Sequence, residues 1–114
     1  MSPVLLLSVM AVESGFDPHA VSALGARGLM QVLPAAHPRV FSNLKELDDP
    51  ANNVRIGSAI LRGYLEASGG DVDTALWRYS GGGKGYARRV ALHMRRFNAM
   101  LGERGEKVTA STLR

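Results

Sequence analysis

Glu13-Ser14-Gly15-Phe16-Asp17-Pro18 decides how this chain is read. It closes the apolar run Val4-Leu5-Leu6-Leu7-Ser8-Val9-Met10-Ala11-Val12 and opens the segment His19-Ala20-Val21-Ser22-Ala23-Leu24-Gly25-Ala26-Arg27-Gly28-Leu29-Met30-Gln31-Val32-Leu33-Pro34. Ser2-Pro3 ahead of the run has the form of an N-cap followed by proline in the first turn. A helix is therefore predicted from there to about Ser14. It is apolar nearly all round, so it should run through the core. Gly15-Phe16-Asp17-Pro18 stops it. Glu13 thus ends a core helix. Burial disfavours a carboxylate anion and raises its pKa, so such an acid can hold a proton near neutral pH and give it to a leaving group. The plain alternative is a helix-end glutamate in water, the usual state of a glutamate.

Outward from this stretch the pattern stays helical. Residues 19–27 read as a short turn of helix and a loop, and Pro34 and Pro38 break the chain after a short apolar segment. Asp49-Pro50 is a strong helix start, followed by the apolar stripe Val54, Leu61, Tyr64 and Leu65 and ended by Gly69-Gly70. Asp71 or Asp73 caps the next helix, which carries Ala75, Leu76 and Tyr79. Ser80-Gly81-Gly82-Gly83 reads as a flexible loop. The last helix is expected from about Lys84 to Met100, with Tyr86, Val90, Phe97 and Leu101 on one face. The polar stretch after Gly102 is expected to fray. No useful strand alternation, repeat or further low-complexity tract appears.

The chain has 114 residues, 46% hydrophobic and 21% charged, which fits one folded core with no second domain of ordinary size. It has no cysteine, which excludes a disulfide scaffold, a thiolate zinc site and a cysteine nucleophile. The net charge of +4 points to an anionic partner without choosing among nucleic acid, membrane surface and acidic polysaccharide. No segment is long enough to span a bilayer. The apolar run imitates a signal peptide, but Met1-Ser2-Pro3 carries no positive side chain and the run ends in Glu13 instead of a small-residue cleavage site. If the intact protein is exported, its signal is expected upstream of this chain, or export uses a dedicated machine.

The stretch from Glu13 to Pro34 strongly resembles the opening motifs of the soluble lytic transglycosylase (SLT) catalytic domain: E-S-x-F/W-x-P, then S, then G-A-x-G-L-M-Q, then P, without insertion. Asp49-Pro50-Ala51-Asn52-Asn53-Val54-Arg55-Ile56-Gly57 resembles the D-P-x-x-N-I-x-x-G segment of the same domains. Residues 69–79 resemble the helix leading to the A-Y-N-A-G motif, and Gly85-Tyr86-Ala87-Arg88-Arg89-Val90 resembles the Y-V-x-x-V start of the last helix. The resemblance covers roughly Val4 to Leu101. It implies an all-α, lysozyme-like fold of the goose type with a glycan-binding groove. The catalytic domain would occupy residues 1–102 and a polar tail residues 103–114. It further implies non-hydrolytic cleavage of the MurNAc-β-1,4-GlcNAc bond of peptidoglycan with 1,6-anhydro-MurNAc ends, in a bacterial periplasm or cell envelope.

On this resemblance Glu13 is the single catalytic acid/base. The substrate's N-acetyl group assists at C1, an exception to the rule of two carboxylates. The resemblance places Ser22, Gln31, Tyr79, Ser80 and Tyr86 in substrate binding. Each has a bland alternative: a loop serine bonding its own backbone, an exposed glutamine, a core tyrosine. Gly25 and Gly28 would let the backbone approach the glycan, or serve turn geometry alone. Asp17 reads as a turn cap, and Asp48, Asp49, Asp71 and Asp73 as helix caps. No acid stands out as a nucleophile. His19, His37 and His93 lack a metal-ligand spacing, so neither metal nor cofactor is expected.

The chain departs from the family pattern at Ser80, where asparagine is usual, and at Gly81-Gly82-Gly83. The R-Y-S-G-G form resembles small specialised transglycosylases that accompany secretion, conjugation or pilus machines, which makes such machinery an expected partner beside peptidoglycan strands. Competing readings are a non-catalytic glycan-binding or scaffold module, against which the intact Glu13 argues, and a goose-type lysozyme that admits water. Arg88, Arg89, Arg95 and Arg96 would suit a nucleic-acid binder. A basic face serves the stem-peptide carboxylates of peptidoglycan equally well, so nucleic acid is not the expected partner.

Overall fold

The computed structural model describes the backbone of residues 1–40 and 42–113 and the side chains of residues 1–40 and 42–102. Its elements run α1 (Pro3–Ser14), a 3-10 turn (Pro34–Ala36), a second 3-10 segment (Leu44–Asp48), α2 (Pro50–Ala67), α3 (Val72–Tyr79) and α4 (Tyr86–Leu113). The Ser2 hydroxyl accepts the Leu5 N–H at 3.4 Å, and Pro3 occupies the first turn. Gly15, at φ +59°, closes α1 by donating its N–H to the Ala11 carbonyl, a left-handed stop that glycine adopts without a Cβ penalty. Val9 is fully buried, and the buried Ser8 hydroxyl donates to the Val4 carbonyl at 2.7 Å. α1 packs chiefly against α4, α2 against α3 and the Leu44–Asp48 segment, and α3 also meets α4. Among the described residues no helix is long and apolar enough to cross a membrane.

α2 starts as its sequence predicts, with Asp49 accepting the Asn52 N–H at 3.0 Å. Its buried side carries Asn53, Ile56, Gly57 and Leu61. A Cβ on Gly57 would lie 2.7 Å from both Cβ and Sδ of Met30, so only glycine lets α2 close on that fully buried methionine. Asn53 is 0% exposed and fully engaged. Its amide donates to the carbonyls of Arg27 (2.8 Å) and Leu47 (3.0 Å), and its Oδ1 accepts the Met30 N–H (2.9 Å). One side chain thereby fastens the segment after α1 to α2.

Several local expectations are corrected. Residues 19–27 form no helical turn. Val21 bridges Arg27 and Arg27 bridges Val32, both antiparallel. Gly25 (φ +91°) and Gly28 (φ +77°) fold the chain back on itself there, and β-branched valines suit such pairing. Asp48 is no cap; it pairs with Arg27 at 3.2 Å on the surface. Asp71, not Asp73, is the N-cap residue of α3. Asp17 does cap its turn, accepting the His19 N–H at 2.9 Å.

α4 begins at Tyr86, after Gly85 at φ +76°, and its backbone stays helical through Leu113, beyond the expected end near Met100. No proline interrupts residues 101–113, and their glutamate, lysine, alanine and leucine favour helix. Arg114 lies outside the described residues. The apolar face predicted for α4 is buried only at Tyr86 and Val90; Phe97 is half-buried and Leu101 is exposed. α1, its main partner, is 12 residues long against 28 for α4. At 1.5 Å per residue, α1 covers less than half of α4, about 18 Å of about 42 Å.

Candidate functional site

α1 delivers Glu13 to the edge of the core, where the start of α4 meets it. The Tyr86 hydroxyl donates to Glu13 Oε2 at 2.9 Å across 73 residues of sequence. Tyr86 is only 3% exposed, so its ring is held by the core while its hydroxyl reaches the acid. Ser14, next to Glu13, donates to the Leu29 carbonyl at 2.8 Å and ties the end of α1 to the following loop.

Glu13 forms one wall of an open cavity of about 450 Å³. Ser22, Gln31, Tyr79, Ser80 and Tyr86 line the same cavity, so all six residues singled out in the sequence converge although they come from four separate stretches. Among the described residues lining it, Glu13 is the one carboxylate.

Burial pushes the Glu13 carboxyl above its ordinary value of 4.5, and this outweighs the Tyr86 hydrogen bond and the positive charge of Arg89, both of which pull it down. The protonated acid is therefore favoured to a higher pH than for a solvated glutamate. Tyr86 is pushed far above its ordinary 10.0 by burial and then by Glu13, so it stays a neutral donor. With Oε2 occupied by that hydroxyl, Oε1 is the oxygen left to carry the exchangeable proton.

The remaining predicted residues sit in the cavity wall with much of their hydrogen bonding turned inward. Gln31 holds φ +50° and its Nε2 donates to the carbonyls of Ala20 (3.0 Å) and Gly28 (2.9 Å). Two facing carbonyls fix the amide orientation, and the side-chain carbonyl is what Gln31 has left to offer a ligand. Tyr79 donates its hydroxyl to the Met30 carbonyl at 2.7 Å. Ser80 donates to the Trp77 carbonyl (2.9 Å) and accepts the Gly83 N–H (2.8 Å), which pins the loop expected to be flexible. Ser22 accepts the Ala26 N–H at 3.0 Å and keeps its own proton to donate. Gly28 serves Asn53 rather than an incoming chain: a Cβ there would lie 2.3 Å from Asn53 Nδ2. Gly25 has open space over it.

Arg78, Arg89, His37 and Tyr64 also line the cavity and were not among the predicted site residues. Arg89 could have been found, since it lies one helical turn after Tyr86 on the same face, and its guanidinium stands 6.0 Å from the Tyr86 ring centroid. His37 and Tyr64 meet edge-on at 6.4 Å, and burial lowers the His37 pKa, favouring a neutral ring. Neither carries a local motif, and only the fold brings them together.

The model of the transglycosylase SLT domain family matches residues 1–98. The chain is similar to the transglycosylase of Enterobacteria phage PRD1, at 35% identity over 96% of this chain and 42% of that protein. It is also similar to the membrane-bound lytic murein transglycosylase C of Sodalis glossinidius, at 36% identity over 75% of this chain and 28% of the relative. Its fold matches the crystal structure of the 70 kDa soluble lytic transglycosylase SLT70 from Escherichia coli with a TM-score of 0.82 at 19% identity, over 90% of this chain and 22% of that one. The chain thus spans less than half the length of each of these proteins. With the lysozyme-like, all-α fold and the match over residues 1–98 in agreement, the chain belongs to the transglycosylase SLT domain family.

Proposed function

We propose that this chain is a lytic transglycosylase of the bacterial cell wall, cleaving the MurNAc-β-1,4-GlcNAc bond of peptidoglycan and leaving 1,6-anhydro-MurNAc ends. The observation that carries this reading is the 2.9 Å hydrogen bond from Tyr86 to Glu13 inside the cavity that the other predicted residues line. In this reading Glu13 gives its Oε1 proton to the glycosidic oxygen, and the GlcNAc side leaves as an alcohol. The carbonyl oxygen of the MurNAc N-acetyl group closes on C1 as that bond breaks. The C6 hydroxyl then displaces it at C1, and Glu13 takes up the C6 proton, which restores the acid. No second carboxylate is required, in keeping with a cavity whose described lining holds one. Tyr86 holds Glu13 in place and stabilises the carboxylate that appears between the two steps. Ser22 and Gln31 face the sugar with one free donor and one free acceptor, and Tyr79 and Ser80 shape the wall.

The test is digestion of purified sacculi by the wild-type chain and by Glu13→Gln, with mass analysis of the released muropeptides. Anhydro ends from the wild type are expected. The variant, nearly isosteric but unable to cycle a proton, should lose at least about a hundredfold in rate. Reducing ends would make the enzyme a lysozyme. No release by the wild type would leave a glycan-holding module.

A further inference from the structure

On the far side of the glycine loop lies a second cavity of about 510 Å³, and Gly83 lines both. Its other walls are Asp73 and Trp77 of α3, Gly82 and Lys84 of the loop, and Arg88 of α4. Trp77 is the only tryptophan of the chain and is 56% exposed, a large apolar surface left open to water. The indole lies beside Gly82, whose N–H donates to the Trp77 carbonyl at 2.8 Å; a Cβ on Gly82 would sit at 3.4 Å from the ring, in ordinary contact. Asp73 precedes it by one helical turn on the same face. Among the described residues the one ion pair is Arg27–Asp48, so Asp73, Lys84 and Arg88 do not neutralise one another. The cavity therefore offers an indole face, two cations and one anion.

That combination selects its occupant by chemistry. A neutral sugar would use the indole and none of the three exposed charges. A polyanion would suit Lys84 and Arg88 but meet Asp73. A short peptide bearing carboxylates, an alkyl chain and a free ammonium answers all of them. Peptidoglycan strands carry such peptides, and the two cavities share Gly83 as a wall. We infer that the Trp77 cavity is a stem-peptide site, with Arg88 and Lys84 taking carboxylates, Asp73 the ammonium and Trp77 the alkyl chain. This assignment names the substrate's second half and rests on the proposed function.

The experiment uses the indole as its own reporter. The full chain is titrated with a free stem tetrapeptide containing a diamino acid, with the same peptide acetylated on its side-chain amine, and with a peptide-free GlcNAc tetramer, while Trp77 fluorescence is followed. A saturable change with the tetrapeptide and none with the GlcNAc tetramer is expected. Acetylation of the amine, Arg88→Glu and Asp73→Lys should each weaken binding about three- to fivefold, the scale of one exposed charge contact. A response to the GlcNAc tetramer instead of the peptide would make Trp77 a sugar platform and overturn the assignment, as would no response to either, or equal binding by all variants. Both substituted side chains are exposed, and an unchanged helical spectrum confirms that each variant is folded. The titration needs no cleavage. Sacculi that stay intact under the wild type would overturn the proposed activity alone, and cleavage without a peptide response would overturn the peptide site alone.

Discussion

Two loops face each other beside Glu13, and they are held in opposite ways. The segment from Ala20 to Gln31 is tied from many sides: by Asn53 at Arg27 and Met30, by Tyr79 at Met30, by Ser14 at Leu29, and by Gln31 across its own turn. The segment after α3 has glycines at φ +72°, +86° and +76° (Gly81, Gly82 and Gly85) and is tied by two side chains, Ser80 across the turn and Arg89 at the Lys84 carbonyl (3.4 Å). The first wall has one fully buried tie, from the Met30 N–H to Asn53, among several half-buried ones. The second has one half-buried tie, at Gly83, and otherwise exposed ones that water can replace. A site with one rigid and one yielding wall can keep its acid in register while accommodating a polymer with bulky substituents.

Breaking the fixed wall should have the largest effect. Asn53→Ala would leave the Leu47 carbonyl and the Met30 N–H without their Asn53 partner, around a side chain with 0% exposure, while the Arg27 carbonyl keeps the Val32 N–H at 3.1 Å. Each unsatisfied buried group costs roughly 1–3 kcal/mol, so a loss of about 2 kcal/mol or more is expected for the two. Urea denaturation followed by circular dichroism measures it. A loss below about 1 kcal/mol would mean that this wall is no more fixed than the other.

How much of this was legible in the sequence differs along the same divide. Glu13, the Asp49-Pro50 start and the convergence of Gln31, Tyr79 and Tyr86 were readable because motif residues carry position with them. The bridges at Val21, Arg27 and Val32 were not, because single-residue pairing leaves no alternation to detect. The anchoring by Asn53 was visible only as a letter in a motif; its partners lie 26, 23 and 6 residues away and appear only in three dimensions. The half-burial of Phe97, edge-on to Phe16 at 6.3 Å, and the exposure of Leu101 could not be read from α4 itself. Helical periodicity says nothing about which partner lies alongside or how far it reaches.

Removing the contact that joins Glu13 to α4 comes next. Tyr86→Phe deletes a hydrogen bond to an ionisable partner, worth roughly 1.5–3 kcal/mol, so cleavage should slow about ten- to a hundredfold. The sign of the pH effect follows from the forces on Glu13. Burial raises its pKa and Tyr86 opposes that rise. Without the hydroxyl the pKa climbs further, the acid stays protonated to higher pH, and the alkaline limb of the rate profile moves up. A profile that moves down would show that Tyr86 favours the protonated form.

A smaller effect concerns Glu13 and stability. Its folded pKa lies above the ordinary 4.5, so the folded state binds the proton more tightly than the unfolded chain. The stability this contributes is complete below pH 4.5 and is lost as pH rises through the folded value. Glu13→Gln keeps an acceptor for Tyr86 and removes the buried charge. Its melting temperature should match the wild type at low pH and exceed it at neutral pH. Equal melting at both would place Glu13 in water.

The smallest effect is expected at the yielding wall, and there the comparison is most sharply tested. Ser80→Ala removes a donor to the Trp77 carbonyl and an acceptor for the Gly83 N–H. The Trp77–Ser80 contact is exposed and the Gly83 contact only half-buried, so water can take over, and no full desolvation penalty follows. The cost should be about 1 kcal/mol or less, with little change in melting. Locally the consequence is larger, because Gly83 lines both cavities and loses its one side-chain tether. Amide exchange at Gly83 should quicken while exchange at Met30, bound to Asn53 Oδ1, stays as it was. Ser80→Thr retains the hydroxyl and should restore slow exchange. If Ser80→Ala speeds exchange equally at Met30, the two loops move as one body and the division into a rigid and a yielding wall fails.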